Sequence, residues 1–389
     1  MLSATNRSIV RPTLSSAGSI SVVAMPAFLL GAFAPTIREE LHFGATALGA
    51  IFSIGFLVSI MILKFGGSLA DDRGPRRAIR IGLFIAACGA VGVSTLGRTY
   101  VLLVVFYGVT RIAEALVQPS SNSLVSGLVP AERRGFSMGI KQAAVPLSTA
   151  LSGLAVPLLG GVIGWRGVFA LVAAIAIPVW FAIPLAPIPR KRNIGMRGQL
   201  WRTPHLQLAA IAGGFSGGAM LTVAGFLTTA ATETAGFSPS RAGLLMTVGG
   251  AVMIVSRVSW GIAADRWTFD RFKAVGSVLI IGAASFPLFA AGTESTMIIG
   301  TALMFGIGWS FPGIFLLGII EQHPEAPGVA SAIVQTGVAI GALISPLMFG
   351  VMVDQWGFGV AWYLPAALAV IGGILMFCTS RSMANFNQV

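Results

Sequence analysis

Four basic side chains lie inside runs that are otherwise apolar: Lys64, Arg111, Lys141 and Arg257. A charge at the centre of a bilayer costs about 2.5–3.5 kcal/mol on insertion scales, and each apolar neighbour returns only a few tenths. Arg257 lies eight residues before Asp265, which at 1.5 Å per residue puts it roughly 12 Å into a hydrocarbon core about 30 Å thick. A guanidinium at that depth offers a planar fork suited to a carboxylate or similar oxyanion. The structural alternative is an arginine bonded to helix-end carbonyls. Lys64 lies seven residues before Asp71, at a depth of roughly 10 Å. It either assists in anion binding or extends its ammonium to the surface. Lys141 is followed by Gln142, and the pair can serve substrate or gate; the alternative for the amide is interhelical hydrogen bonding. Arg111 and Glu114 are three apart, on one helical face. They read either as an internal ion pair or as a coupled pair, in which a proton on Glu114 alters the hold of Arg111 on an anion. Trp309 and Phe311, just before Pro312, can flank a substrate or fill a kink, and Phe215, amid four glycines, reads the same way more weakly. Four bases against one deep acid favour a negative substrate.

The elements that must carry these residues are long apolar helices. The chain of 389 residues is 55% hydrophobic and 10% charged, with mean hydropathy +0.86; soluble domains carry about 25% charged residues. Apolar runs long enough to span a bilayer recur throughout. They predict twelve helices, over 15–37, 45–66, 78–97, 99–121, 137–163, 166–186, 205–231, 241–263, 273–292, 295–319, 328–352 and 358–379. The polar first residues, with Arg7 and Arg11, and the length of the first apolar run argue against a cleaved signal peptide. With the N-terminus inside, most of the 25 Lys and Arg fall in cytoplasmic segments, against Arg38, Arg98, Arg166 and Arg241 outside. The net charge of +12 is therefore a topology signal, and no basic groove for nucleic acid is expected. Cys88 and Cys378, in apolar helices, are expected to be buried small hydrophobes. His42, His205 and His323 stand near helix ends without metal-ligand spacing, and no cofactor is expected. Gly164-Trp165-Arg166-Gly167 reads as a short outer turn with an interfacial tryptophan.

The polar island Gly67-Ser68-Leu69-Ala70-Asp71-Asp72-Arg73-Gly74-Pro75-Arg76-Arg77 separates the second and third runs and reads as a tight surface turn. Its Gly-x-x-Ala-Asp core returns in Gly261-Ile262-Ala263-Ala264-Asp265-Arg266, 194 residues on. At the same offset Gly49 meets Gly243 and Gly55 meets Gly249; at 193, Pro119 meets Pro312 and Gln142 meets Gln335. Such constancy marks a duplicated half-chain. The basic, proline-bearing stretch 187–204 is the one linker, dividing 1–186 from 205–389.

Two six-helix repeats joined by a basic loop resemble the major facilitator superfamily, and Gly67-x-Leu69-Ala70-Asp71 with Gly74 and Arg76-Arg77 resembles its signature between helices two and three. Asp72 and Pro75 depart from that pattern. Arg257-x-x-x-Gly261 followed by Asp265-Arg266 resembles the eighth helix of oxalate/formate antiporters and monocarboxylate transporters, a resemblance that implies a carboxylate-binding Arg257. Together these imply an all-α integral membrane protein with twelve transmembrane helices in two pseudo-symmetric six-helix bundles, and alternating access to a central site. The expected function is secondary transport of a small anion, carboxylate or oxyanion, by proton symport or anion exchange, and not enzymatic catalysis. The expected ligands are Arg257, Lys64, Lys141, Gln142, Arg111 and Trp309, with Glu114 for proton coupling. Gly67, Asp71, Gly74, Arg76, Arg77, Gly261, Asp265 and Arg266 are expected to gate: Asp71 can cap a neighbouring helix N-terminus, and Arg76 or Arg77 can pair with it or with lipid phosphate. The expected setting is the bacterial inner (plasma) membrane, with both termini cytoplasmic and the chain a monomer among lipids. The alternative is a proton-coupled multidrug or metabolite efflux antiporter.

Overall fold

Hydrocarbon offers backbone amides no partner, so a spanning chain closes its hydrogen bonds within helices. The computed structural model describes residues 4–184, 200–323 and 327–386; of 4–9, 63–73, 131–132, 134–136, 327 and 384–386 it describes the backbone alone. Every regular element among these residues is helical. The first part of the chain forms α1 (Ala4–Ala32), the short α2 (Ala34–Leu41), α3 (Ala45–Arg73), α4 (Pro75–Leu96) and α5 (Tyr100–Leu128). The stretch Ala131–Ala182 then breaks at Gly164 into α6 (131–163) and α7 (165–182). The second part holds α8 (Pro204–Ala235), α9 (Pro239–Arg266), α10 (Arg271–Ala283) and α11 (Ser285–Ala291). It continues with α12 (Glu294–Leu303), a π-helical turn (Met304–Gly308), α13 (Pro312–Gln322), α14 (Pro327–Ala361) and α15 (Tyr363–Phe386). Among the described residues eleven stretches are long and apolar enough to cross a membrane, and one of them, Ser137–Ala182, holds most of α6 and all of α7. The twelve expected spans are therefore present.

Contacts divide the chain into two units, Met1–Phe43 with Ile54–Arg192, and Gly44–Ser53 with Asn193–Val389. In the first, α1 packs on α5 and on the α6–α7 stretch, and α4 on α5. A Cβ at Gly82 would meet Val117 at 2.4 Å, and one at Gly89 would meet Thr110 at 2.7 Å, so small residues set how closely α4 approaches α5. In the second, α8 packs on α14 and α15. There a Cβ at Gly337 would stand 1.9 Å from the Ala210 carbonyl oxygen, and one at Gly341 would stand 1.8 Å from that of Gly214. Still within the second unit, the Asp354 carboxylate accepts from the amides of Ala45 (2.9 Å) and Thr46 (2.7 Å) at the start of α3, where the helix dipole favours an anion.

The internal repeat is written into the backbone. Gly164 has φ 64° and ψ 173°, and Gly357, 193 residues later, has φ 77° and ψ 169°. Both break one span from the next in a left-handed conformation that suits glycine. Gly55 lies against Tyr107 and Arg111, and its mate Gly249 lies against Phe305, the residue 194 positions after Arg111.

Several local expectations are corrected. The island 67–77 is not a turn from its first glycine: α3 stays helical to Arg73, and the bend is Gly74 alone, at φ 85°. The last turns of a helix tolerate charged residues, so the charges 71–73 did not mark where the helix ends. Pro35 lies in the first turn of α2 and not in the first span. Helices nine and ten are interrupted, the latter by the π-helical turn ahead of Pro312. Cys88 and Cys378 are exposed on their helices, since apolar spans turn one face outward. Trp165 is buried against protein, at 3% exposure, directly after the Gly164 break. Its Nε1 donates to Glu40 (2.6 Å), while Arg166 pairs with Glu40 and donates to the Gly97 carbonyl (3.0 Å). Burial raises the affinity of Glu40 for its proton, but the bonds from Trp165 and Arg166 outweigh it, holding the carboxyl below the usual range. Of the linker 187–204, residues 187–199 lie outside the described residues.

Candidate substrate-binding site

In the first unit the site grows from one stripe of α5. Arg111, Glu114, Gln118 and Asn122 recur at intervals of three and four, so they lie along one face. Arg111 is 3% exposed and paired with Glu114. Its guanidinium stands 4.6 Å from the Phe56 ring centroid, and Gly55 clears the space for its stem, where a Cβ would fall 2.9 Å from the Arg111 Cγ. The Arg111 Nε is shielded from solvent and donates to none of the described groups. A shielded donor of this kind attracts any acceptor that reaches it.

Lys141 of α6 joins the same stripe. It is 1% exposed, and its Nζ donates to Asn122 Oδ1 at 2.5 Å and Gln118 Oε1 at 3.4 Å. A lysine amine is a many-donor group that carries charge when protonated, and both of these acceptors are neutral amide oxygens. No carboxylate among the described residues pairs with Lys141. The stripe therefore carries two buried bases and one acid. Gln118 and Asn122 were not singled out in the sequence, although their spacing from Arg111 is a readable signal. Gln142 is half-buried, whereas its repeat mate Gln335 is exposed, so the two amides do not share one setting.

In the second unit Arg257 is half-buried on α9. The residues flanking it tie α9 to the interrupted span: Ser256 Oγ donates to the Gly306 carbonyl (2.5 Å), and Trp260 Nε1 to Ser310 Oγ (3.1 Å). Trp309 is 4% exposed, its ring 5.3 Å from Phe305, and its amide donates to the Met304 carbonyl (2.7 Å) five residues back. That spacing is the π-helical bond itself, a geometry that recurs at functional sites. Phe311 is buried and packs on Phe315, and Phe215 is half-buried on α8.

Of the expected gating residues, Gly67 and Asp71, together with the ligand candidate Lys64, lie outside the described side chains. Gly74 makes the bend before α4; Arg76 is half-buried and Arg77 exposed. Gly261, Asp265 and Arg266 are exposed, and a Cβ at Gly261 would meet nothing. The described carboxylate that caps a helix at this end is Asp270, which sequence reading missed. It accepts from the amides of Phe272 and Lys273 (3.0 Å each) and from Ser380 Oγ. Beside it Arg271 pairs with Glu321 (3.3 Å) and donates to the Ala264 carbonyl (3.2 Å), over a cavity of about 290 Å³. An aspartate directly before an apolar helical run is an N-cap signal that could have found it. His205 and His323, buried at the ends of α8 and α13, place their Nε2 atoms 3.2 Å apart.

The sequence profile described as Major Facilitator Superfamily matches residues 17–336. A chloramphenicol resistance protein of Streptomyces lividans is 24% identical over 347 residues, covering 85% of this chain and 86% of its own length. The probable sulfoacetate transporter of Cupriavidus necator is 22% identical over 380 residues, covering 88% of this chain and 86% of its own. Among solved structures, a bacterial homologue of the human lysosomal transporter Spinster, inward-facing and occupied, superposes with TM-score 0.73 at 15% identity, over 97% of this chain and 96% of that one. The chain belongs to the Major Facilitator Superfamily and is a multi-pass membrane transporter of small molecules, not an enzyme.

Proposed function

We propose that this protein carries a small organic anion, a carboxylate or related oxyanion such as a sulfonate, by alternating access across the bacterial inner membrane, with both termini cytoplasmic and a single chain as the working unit. The observation that carries the reading is the α5–α6 stripe, where Arg111 and Lys141 are buried with Glu114 as the only described carboxylate pairing among them. Buried charge is costly until balanced, and an anion entering such a site supplies the balance. Arg257 is the principal ligand in this reading, Arg111 and Lys141 assist, and Glu114 takes up or releases a proton if transport is proton-linked. The name of the Cupriavidus necator relative, a sulfoacetate transporter, agrees with an anionic substrate.

A second reading, proton-driven efflux of drugs or metabolites, is favoured by the chloramphenicol resistance relative and by the presence of Glu114 within the span. Counterflow in proteoliposomes separates the two. The anion reading expects exchange of labelled carboxylate or sulfonate and none of chloramphenicol; the reverse pattern replaces it with the efflux reading.

A further inference from the structure

On the outward face of the first unit, α4 and α7 leave a groove of about 170 Å³. Leu83, Phe84 and Ala87 form one wall, and Ile177, Trp180 and Phe181 the other. Phe84 is 67% exposed and Phe181 66%, on helices that cross the membrane, so lipid is what meets this surface. Ala87 gives the groove its depth where larger residues would fill it.

One end of the groove is cationic. Arg80 holds its guanidinium 4.2 Å from the Trp180 ring centroid. Arg76 lies one turn away on α4, and Arg11 of α1 donates to the Ala182 carbonyl (3.3 Å), directly after Phe181. Among the described residues no carboxylate pairs with Arg11, Arg76 or Arg80. The Nε atoms of Arg76 and Arg80 are shielded from solvent and donate to none of the described groups. Guanidinium pairs phosphate oxygens in two-point fashion, and an indole at a groove mouth is suited to the polar–apolar boundary.

We propose that this groove is a binding site for one anionic phospholipid, its acyl chain between α4 and α7 and its phosphate on Arg80, with Arg76 and Arg11 beside it. The site is separate from the transported solute, and its test does not depend on knowing that solute. An uncharged or zwitterionic lipid fills the apolar part equally well, so the selectivity for negative charge is what distinguishes a built site from ordinary solvation by lipid.

Native mass spectrometry of the full chain, incubated with equal amounts of phosphatidylglycerol and phosphatidylcholine of matched chains, reads this directly. Phosphatidylglycerol adducts are expected to exceed phosphatidylcholine adducts, and Arg80→Gln to lower that ratio about fivefold, the effect of one basic group near an anionic surface. Arg80→Lys is expected to keep most of the excess, and Ala87→Trp to reduce both adducts alike. Arg11→Gln and Arg76→Gln carry the same expectation as Arg80→Gln should the latter fail to fold. An unchanged ratio in the arginine variants overturns the proposal, as does displacement of phosphatidylglycerol by millimolar inorganic phosphate.

Discussion

Lys141 sets its amine among neutral amide oxygens with no carboxylate among the described residues paired to it, and that setting makes it the most informative single residue. Replacing it with Met relieves the cost of burying an ionisable amine but leaves Asn122 and Gln118 short of a donor, at about 1–3 kcal/mol for each unsatisfied group. The two effects oppose, so Lys141→Met is expected to melt near the parent temperature while losing anion transport. Full transport by a folded Lys141→Met variant makes the lysine a purely structural link between α5 and α6. Glu114→Gln is expected to keep anion-for-anion exchange and to lose any dependence of uptake on an imposed proton gradient. A loss of both assigns Glu114 to holding Arg111 in place. At the membrane edge, Glu40 gives a pH test with a definite sign. Its folded affinity for protons lies below the ordinary value of 4.5, so its contribution is complete above that value and fades as pH falls through the lowered one. Glu40 is 44% exposed, which limits the pair to at most about 1 kcal/mol. Glu40→Gln is therefore expected to melt slightly below the parent at pH 7, with the gap closing in acid; a gap that widens in acid contradicts the assignment. The deep charges were readable from sequence because a base in an apolar run stands out. Gln118 and Asn122 were not, because a neutral amide in a span costs less and only its neighbour reveals its use.

At the scale of elements, close approach is set by glycine only where the partner backbone is near. Gly341→Ala places a methyl 1.8 Å from the Gly214 carbonyl and is expected to force α8 and α14 apart, at about 1–3 kcal/mol or more. Gly261→Ala faces open space within α9 and is expected to leave the melting temperature unchanged or raise it slightly, since alanine is the better helix former. Thermal denaturation of both in one detergent checks the contrast, and equal effects would undo it. From sequence Gly261 stood out through its motif and Gly341 did not, since packing distance depends on a partner far along the chain. The spans were legible because twenty apolar residues have few uses outside a bilayer. The repeat was legible too, and the matched bends at Gly164 and Gly357 give it backbone form. Helix ends were less so. α3 carries its charged tail as helix to Arg73, and the π-helical turn at Met304–Gly308 leaves no hydrophobic signature of its own.

For the whole molecule, superfamily membership and membrane transport were visible in the duplicated pattern and its surface motif. The solute was not, because the same scaffold carries unrelated functions and selectivity rests on a few side chains. Arg257, Arg111 and Lys141 are those side chains in the present account, and their common sign is its central claim. Purified protein can be screened for thermal stabilisation by small mono- and dicarboxylates and sulfonates beside lipophilic cations, in the parent and in Arg257→Lys, which keeps the charge but loses the two-point fork. At least one anion is expected to stabilise the parent and to lose that effect in a variant that still folds. Stabilisation by cations with no response to any anion, or an anion response that survives unchanged in Arg257→Lys, would contradict the claim.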